Sequence, residues 1–158
     1  MSGLILLSGG GDPKQSEKLD IYLRKAIELR GSSRCLYIPL ALDENYYQGA
    51  LNWLKTNYAY LSHIDMVTSK ADALRLMGNT YDLIYIGGGN TGKLLYSLRG
   101  RGLDRYIINH LNRGAIAYGG SAGAIIFGKT ITVAPEDEYE INKDNRGINL
   151  LGESSIVP

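Results

Sequence analysis

The sequence predicts an α/β fold built on a doubly wound, mainly parallel β-sheet. Short apolar runs alternate with segments of helical periodicity along most of the chain, which is the pattern expected of βαβ units with right-handed crossovers. The runs are unbroken rather than alternating, as is typical of strands covered on both faces. Three of the runs also lead directly into glycine clusters. We therefore expect a single domain over residues 1–158, with its functional groups at the carboxyl edge of the sheet.

Five strands are predicted in chain order. The first lies between the amino terminus and a glycine cluster, and Pro39 ends the second because proline cannot continue a central strand. The predicted strands are residues 4–7, 35–38, 64–67, 83–86 and 115–118.

Helices are predicted between these strands. Apolar residues from Leu19 to Ile27 recur at helical spacing after Pro13, which is a helix start signal. The first helix is predicted to start near Pro13 or Ser16 and to include Ile27, and the other predicted helices are residues 46–58, 71–77, 91–98, 103–111 and 122–127. Beyond them the pattern weakens: residues 130–133 are a strand candidate, and residues 135–146 are polar and loop-like.

The composition excludes several classes of function. The chain has 17 Lys and Arg against 16 Asp and Glu, a net charge of +1, so no overall field favours nucleic acid or a membrane as a partner. The apolar run at residues 4–7 is too short for a signal sequence or a membrane span. The single cysteine, Cys35, excludes an internal disulfide and fits a reducing compartment. Two histidines and one cysteine are few ligands for a metal site, so we expect no metal or cofactor. The expected location is the cytoplasm.

Residues 119–123, Gly-Gly-Ser-Ala-Gly, fit the G-x-S-x-G pattern of a nucleophile elbow. In such an elbow a strand turns sharply into a helix, so the residues around the serine must be small. A predicted strand precedes the pattern and a predicted helix follows it. Ser121 is therefore the candidate nucleophile, with its hydroxyl projecting from the rim of the sheet. The alternative is a glycine-rich turn without chemical meaning in a chain that has 20 glycines.

A second glycine cluster, Gly87-Gly88-Gly89, follows the fourth predicted strand. Bare backbone amides at a strand end can bind a developing oxyanion. The predicted oxyanion or substrate-binding residues are Gly88, Gly89, Asn90 and Ala122, with the amides of Gly88, Gly89 and Ala122 as the oxyanion donors. The alternative is a tight turn that needs positive φ angles.

The same loop also admits a nucleotide-binding interpretation. Residues 87–93 fit the first seven positions of a P-loop, G-x-x-x-x-G-K, between a predicted strand and a predicted helix. The next residue is Leu94, so the hydroxyl that would bind magnesium is missing.

Four segments match the order and spacing of one known group of peptidases. They are Gly87-Gly88-Gly89-Asn90-Thr91 with Leu94-Leu95, Arg101-Gly102-Leu103, Arg113-Gly114-Ala115 and Gly120-Ser121-Ala122-Gly123-Ala124. Together they resemble the peptidase E family of serine peptidases, which includes alpha-aspartyl dipeptidases and the related cyanophycinases. The resemblance implies a flavodoxin-like or class I glutamine amidotransferase-like fold. It also implies cleavage of small peptides, dipeptides that begin with aspartate, through an acyl-enzyme on Ser121.

The resemblance further implies a catalytic acid and a catalytic histidine. The family's acidic position falls on Glu136, with Asp137 beside it, and the alternative for both is a solvated acidic loop. The family histidine follows a segment that resembles residues 147–158, and by this alignment it would come directly after Pro158. We therefore expect the C-terminal part of the family domain to be missing and the activity of these 158 residues to be impaired. A sheet edge or face left uncovered would favour a homodimer or a complementing C-terminal fragment.

The two histidines of the chain do not fit the role of the base. His63 is predicted at the start of a strand, away from the active rim. His110 is predicted near the end of a helix, where an ordinary surface histidine is favourable. Cys35 is expected in the core.

The arginines and tyrosines near the predicted site admit a functional and a structural interpretation. Arg99 and Arg101 either meet a substrate carboxylate or are exposed charges at a helix end. Four tyrosines are expected to pack or to form an interface rather than a substrate site; they are Tyr46, Tyr47, Tyr58 and Tyr60.

The sequence is compatible with three candidate functions. The first is a serine peptidase of aspartyl dipeptides, the second an inactive scaffold or binding subunit of the same fold, and the third a nucleotide-binding domain that uses residues 87–93.

Overall fold

The computed structural model describes residues 3–11, 13–139 and 142–158. The strands are β1 (Leu4–Ser8), β2 (Arg34–Ile38), β3 (His63–Met66), β4 (Leu83–Ile86) and β5 (Ile116–Gly120). The helices are α1 (Pro13–Glu28), α2 (Glu44–Asn57), α3 (Lys70–Leu76), α4 (Thr91–Gly100), α5 (Leu103–Asn112), α6 (Ala122–Ile125) and α7 (Glu136–Tyr139). All five strands are parallel and form one sheet in the order β1-β5-β4-β2-β3. The predicted α/β class with a flavodoxin-like parallel sheet is confirmed.

Helices cover both faces of the sheet. Leu23 of α1 and Leu54 of α2 are fully buried on one face, whereas Leu76 of α3, Leu98 of α4 and Ile107 of α5 are buried on the other. The chain moves from β1 outward to β3 and then returns to β5. Right-handed crossovers therefore put the early helices on one face and the later helices on the other.

The carboxyl ends of β1 and β5 form a crevice. These two strands are neighbours, with Ser8 paired to Gly120, but the helices that follow them, α1 and α6, lie on opposite faces of the sheet. A parallel sheet opens at such a point, and ligands of α/β proteins bind there. The topology thus brings the loop after β1 beside the turn that carries Ser121.

The predicted strand at residues 130–133 is wrong. Only Thr130 forms a β-bridge, to Arg146, and the chain turns at once, with the Ala134 amide donating to the Ile131 carbonyl at 2.9 Å. Ile131 is fully buried against the helices of the sheet's second face. A strand needs a partner along its length, and this segment has one only at a single position.

The segment at residues 135–146, predicted as a loop, contains the short helix α7. Residues 140 and 141 of this segment lie outside the described residues. The helix follows Pro135, whose carbonyl accepts from the Glu138 amide at 2.9 Å. Pro135 lies just before the first turn, where the missing amide hydrogen is not needed.

In the described part of the chain, β1 has a strand neighbour on one side only. All residues of β1 except Leu6 are half-buried, whereas every residue of β4 is buried. No helix among the described residues has the length and apolar character to cross a bilayer.

Candidate active site

The backbone of Ser121 has an unusual conformation. Its φ is 50° and its ψ is −112°, a combination that a residue with a β-carbon adopts only under strain. The Ser121 amide donates to the Ser8 carbonyl at 2.9 Å, and its carbonyl accepts from the Ala124 amide at 2.8 Å. The end of β1 and the start of α6 thus hold the strained residue from both sides.

Two glycines of the G-x-S-x-G pattern allow the strand and the helix to meet. A β-carbon on Gly119 would lie 2.3 Å from the Gly123 carbonyl oxygen, and one on Gly123 would lie 2.3 Å from the carbonyl oxygen of Ile86. Real β-carbons do not approach backbone oxygens so closely. A β-carbon on Gly120, in contrast, would meet nothing within 4 Å. Gly119 and Gly123 are therefore required by packing, and Gly120 is not.

Two further glycines flank the Ser121 side chain. A β-carbon on Gly10 would lie 3.1 Å from Ser121 Cβ, and one on Gly88 would lie 3.2 Å from the same atom. The loops after β1 and β4 therefore approach the serine as bare backbone from two sides. Space for a reacting group next to the serine hydroxyl depends on both glycines.

Free amides surround this position. Within the described residues, the amides of Gly88, Gly89 and Ala122 donate no hydrogen bond. Gly89 has a φ of 136°, and a β-carbon there would lie 2.4 Å from the Ala41 carbonyl oxygen, so the loop conformation requires glycine. Unused amides beside a serine side chain are what an oxyanion hole requires.

Asn90 and Glu138 organise the start of α4. The Asn90 amide donates to the Ala41 carbonyl at 2.9 Å, and Asn90 Oδ1 accepts from the Lys93 amide at 2.7 Å. Glu138 Oε2 accepts from the Thr91 amide at 2.7 Å. Helix N-termini expose amides that favour such acceptors. Among the described partners, Asn90 therefore acts as a helix cap, and a protein carboxylate fills the site where a P-loop would hold phosphate.

The two acids predicted for catalysis, Glu136 and Asp137, are both exposed on α7. Among the described residues neither carboxylate forms a hydrogen bond or an ion pair. The third acid of the run, Glu138, is the one that contacts the loop after β4.

Neither histidine lies at the carboxyl edge of the sheet. His63 is the first residue of β3, and its Nε2 lies 3.0 Å from Asp65 Oδ2. The His110 carbonyl accepts from the Ala115 amide, next to the start of β5. Since β5 spans five residues, roughly 16 Å of strand separates this end from Ser121.

His110 lies in the last turn of α5, as predicted for a helix-end histidine, but it is buried, at 4% exposure, and not on the surface. Its ring lies against Tyr106, with ring centroids 4.1 Å apart. Burial lowers its pKa because the charged form loses hydration. The His110 ring packs between the rings of Tyr106 and Tyr81.

A cavity of about 460 Å³ opens beside the serine. Gly10, Gly88 and Gly120 form its end, and the α1/α2 face of the sheet forms its floor. The lining residues are Ser8, Gly10, Gly11, Pro13, Ser16, Glu17, Asp20, Ile21, Arg24, Tyr37, Leu42, Trp53, Asn57, Tyr58, Tyr60, Tyr85, Gly87, Gly88, Tyr118 and Gly120.

A row of tyrosines crosses the floor of this cavity. Tyr37, Tyr85 and Tyr118 occupy paired positions on β2, β4 and β5. Tyr85 and Tyr118 stack with ring centroids 4.8 Å apart, and Tyr58 meets Tyr85 edge to face at 5.4 Å. Burial raises the pKa of all four, that of Tyr37 to about 12. They are neutral and hydrogen-bonding at physiological pH.

One carboxylate ties these rings to α1. Asp20 Oδ1 accepts from Tyr58 Oη at 2.7 Å and from Tyr118 Oη at 3.3 Å, and Asp20 Oδ2 accepts from Ser16 Oγ at 2.8 Å. The sequence analysis missed Asp20, Tyr85 and Tyr118. A tyrosine at the same level of three neighbouring strands was the available signal, but the pairing of those strands is not visible in the sequence.

Of the four tyrosines expected to pack, Tyr58 is buried, as predicted, but both Tyr58 and Tyr60 also line the cavity. The two arginines belong elsewhere. Arg99 Nη1 donates to the Asp144 carbonyl at 2.9 Å, and Arg101 Nη1 donates to the Ser97 carbonyl at 3.2 Å. Arg101 Nη2 also donates to the Thr68 carbonyl at 3.3 Å, so both arginines join segments of the protein, and neither lines the cavity.

Cys35 is fully buried, as predicted, and burial raises the pKa of its thiol. In the described residues, no three His, Cys, Asp or Glu side chains are grouped to hold a metal ion.

A parallel α/β sheet with a strained serine between a strand and a helix is the framework of a hydrolase with a nucleophile elbow. The comparison with known proteins gives the family. The model of peptidase family S51 matches residues 4–158, so the chain belongs to that family. Membership places it among peptidase-like hydrolases and confirms the resemblance to peptidase E.

Individual relatives agree with this result. The chain is 30% identical over 129 residues to the uncharacterized peptidase YgaJ of Bacillus subtilis (strain 168), covering 79% of this chain and 56% of YgaJ. It is 28% identical over 151 residues to the uncharacterized peptidase PM1590 of Pasteurella multocida (strain Pm70), covering 90% of this chain and 72% of that one. The chain thus spans little more than half the length of YgaJ.

Two solved structures share the fold. A protein from Listeria monocytogenes EGD-e assigned to peptidase E superimposes with a TM-score of 0.70 at 20% identity, covering 96% of this chain and 77% of that chain. A peptidase from an acI-B1 actinobacterium gives a TM-score of 0.67 at 23% identity, covering 83% and 59%.

Proposed function

We propose that this chain is the nucleophile-bearing part of a serine peptidase, in which Ser121 forms an acyl-enzyme with the substrate. The observation that carries the proposal is the backbone of Ser121, with φ 50° and ψ −112°, between two loops of bare glycine backbone. Strain of this kind persists where the surrounding structure enforces it, and it concentrates at functional sites. Family membership supports the same chemistry.

The reaction would run as acyl transfer. Ser121 Oγ attacks the carbonyl carbon of the scissile bond while a base takes the hydroxyl proton. The oxygen of the tetrahedral intermediate gains negative charge, and the free amides of Gly88, Gly89 and Ala122 are the proposed donors to it. The C–N bond then breaks, and the protonated base returns its proton to the leaving amine. Water hydrolyses the acyl-serine ester by the reverse sequence of steps.

We propose that the base is a histidine from outside these 158 residues. His63 and His110 lie at the opposite end of the strands. Pro158 offers a route, because its Cα lies 3.9 Å from the place that a β-carbon on Gly9 would take. The next residue of that loop, Gly10, contacts Ser121. A residue following Pro158, or one from another chain, can therefore approach the serine from this side.

Glu136 or Asp137 would orient that histidine. Both are exposed and unpaired among the described residues, so a carboxylate is available there for an incoming imidazole. The substrate proposed from the family resemblance is a dipeptide with an amino-terminal aspartate.

The nucleophile is tested with a fluorophosphonate probe. The chain is extended after Pro158 by His-Gly-Gly or by Ala-Gly-Gly, and the unextended chain is also assayed with added imidazole as an external base. We expect labelling in the presence of histidine or imidazole, none in Ser121→Ala, and unchanged labelling in Ser62→Ala, an exposed serine at the other edge of the sheet. Labelling that survives in Ser121→Ala, or no labelling under any condition, would contradict the proposal.

A second candidate function is an inactive scaffold of the same fold. It is favoured by one observation, the distance of both histidines from Ser121. Hydrolysis of aspartyl dipeptides by the unextended chain, abolished by Ser121→Ala, would eliminate it. The nucleotide-binding alternative is disfavoured because Glu138 caps α4 and Lys93 Nζ pairs with Asp43 at 2.5 Å.

A further inference from the structure

The cavity beside Ser121 has a chemistry that the peptidase proposal does not explain. Its floor is made of tyrosine rings, and a carboxylate lies against them. A catalytic serine needs neither. A wall that only packed against α1 would also leave no open volume of about 460 Å³.

Asp20 gives the cavity an acceptor group that carries negative charge when ionised. The hydroxyls of Tyr58 and Tyr118 donate their protons to Asp20 Oδ1, and the Tyr118 hydroxyl also has a hydrogen bond to Ser8. Three donors reach Asp20 in total, including Ser16, whereas an ionised carboxylate offers about four acceptor sites. Tyr60 Oη is buried and has no partner among the described residues.

The aromatic faces have the same preference as the acceptors. The ring face carries the negative end of the quadrupole and attracts cations. Arg24 already lies over the Tyr60 ring, with Cζ 5.7 Å from the centroid. Its charge is paired with Glu28 at 2.9 Å on the exposed side of α1, so it does not neutralise Asp20.

We propose that this cavity binds the positively charged ammonium group of a ligand, held by Asp20 and by the faces of the tyrosines. The ligand class is a primary ammonium compound. In a peptide substrate the ammonium is either the free α-amino group or a lysine-type side chain. The proposal deepens the proposed function, since it assigns a recognition group to the same site, but binding itself needs no hydroxyl on Ser121.

The test uses the single tryptophan of the chain as its reporter, because Trp53 lines the cavity and is 45% exposed. Fluorescence titrations compare butylammonium, 1-butanol and butyrate, which share a chain and differ in charge. We expect butylammonium to bind at least about tenfold more tightly than the alcohol, and butyrate to bind more weakly still. Equal binding of the three would overturn the proposal on the unmodified chain alone.

Two variants test whether Asp20 provides the negative charge that binds the ammonium group. Asp20→Asn should remove most of the preference for butylammonium, whereas the matched control Glu17→Gln, also in the lining, should keep it within about twofold. An unchanged preference in a folded Asp20→Asn variant would overturn the proposal. Ser121→Ala should bind as the parent does, so loss of fluorophosphonate labelling and loss of cation binding are separate outcomes.

The source of the ammonium is distinguished with two further probes. L-alaninamide carries only an α-ammonium, and Nα-acetyl-L-lysinamide carries only a side-chain ammonium. Tighter binding of the first assigns the cavity to a substrate's amino terminus, and tighter binding of the second assigns it to a basic side chain. Failure of both to compete with butylammonium would overturn the assignment to a peptide.

Discussion

Ser121 has a backbone that a residue with a β-carbon adopts only at a cost of about 1–3 kcal/mol. Its neighbours impose the conformation, through the hydrogen bond from its amide to Ser8 and those from α6 to its carbonyl. The position of the serine side chain at the end of the sheet is therefore reached at the expense of local stability.

This strain predicts an inverted order of stability for two substitutions. At an ordinary site alanine is more stabilising than glycine by about 0.4–1 kcal/mol. At position 121 we expect Ser121→Gly to be more stable than Ser121→Ala by about 1 kcal/mol, because glycine has no β-carbon and adopts this backbone conformation without strain. Urea unfolding of both variants measures the difference. Ser62, which does not have a positive φ, should show the ordinary order, and the ordinary order at position 121 would refute the strain argument.

The junction of β5 and α6 is the element on which the site depends. Its glycines are not equivalent, since β-carbons on Gly119 and Gly123 would overlap backbone oxygens and one on Gly120 would not.

Single alanine substitutions should separate these glycines. We expect Gly119→Ala and Gly123→Ala each to lower the free energy of unfolding by about 2 kcal/mol or more, because strand and helix must move apart. Gly120→Ala is the matched control and should change it by less than about 0.5 kcal/mol. The measurement is chemical denaturation. Equal losses at all three positions would show that glycine content, rather than the strand–helix contact, determines stability here.

The acidic helix α7 contains residues with different roles. Glu138 accepts from the Thr91 amide at the start of α4, whereas Glu136 is exposed. We expect Glu138→Ala to cost about 1 kcal/mol of stability through the lost cap. Glu136→Ala should leave stability within about 0.5 kcal/mol but slow fluorophosphonate labelling of the histidine-extended chain. Thermal denaturation measures the stabilities, and labelling rates measure the reactivity of Ser121. If Glu138→Ala slowed labelling and Glu136→Ala did not, Glu138 would replace Glu136 as the proposed catalytic acid.

At the scale of the whole molecule, the buried tyrosines make stability depend on pH in the alkaline range. Burial raises the pKa of Tyr37 from 10.0 to about 12, and it also raises those of Tyr58, Tyr85 and Tyr118. The folded state then holds protons that the unfolded state releases. Stability is therefore complete below about pH 10 and falls as the pH rises above that value.

Urea unfolding from about pH 8 to pH 11.5 measures this loss. The tyrosinate absorbance of the buried rings should appear together with unfolding, and Tyr37→Phe should make the decline between about pH 10 and 12 less steep. A stability that is flat across this range would contradict the burial of these hydroxyls.

The outer edge of β1 is the second property of the whole molecule. Among the described strands only β5 pairs with it, and unpaired strand edges promote association. We expect a homodimer, or binding of a complementing C-terminal fragment, and sedimentation velocity over a range of concentrations measures the first. A monomer at every concentration would leave the complementing fragment as the remaining expectation, tested by adding that fragment.

The sequence by itself determined the fold class and the turn around Ser121. Unbroken apolar runs in a chain of alternating strands and helices specify a parallel sheet, because only such a sheet is covered on both faces. The small residues of the G-x-S-x-G pattern are a local requirement of one sharp turn, so they are visible in five consecutive residues. A local requirement of this kind can therefore be recognised directly in the sequence.

Only the tertiary structure decided what surrounds that serine. Gly10 lies against Ser121, and it lines one cavity together with Asp20 and Tyr85, because β1, β5 and β4 are successive neighbours in the sheet. The pairing of such distant strands depends on long-range packing. The same packing buried His110, which a helix-end position alone would leave exposed. It also gave the segment at residues 130–133 no partner strand. Contacts between residues far apart in the chain therefore decided the cavity, while spacing along the chain was enough to locate the strained turn at Ser121.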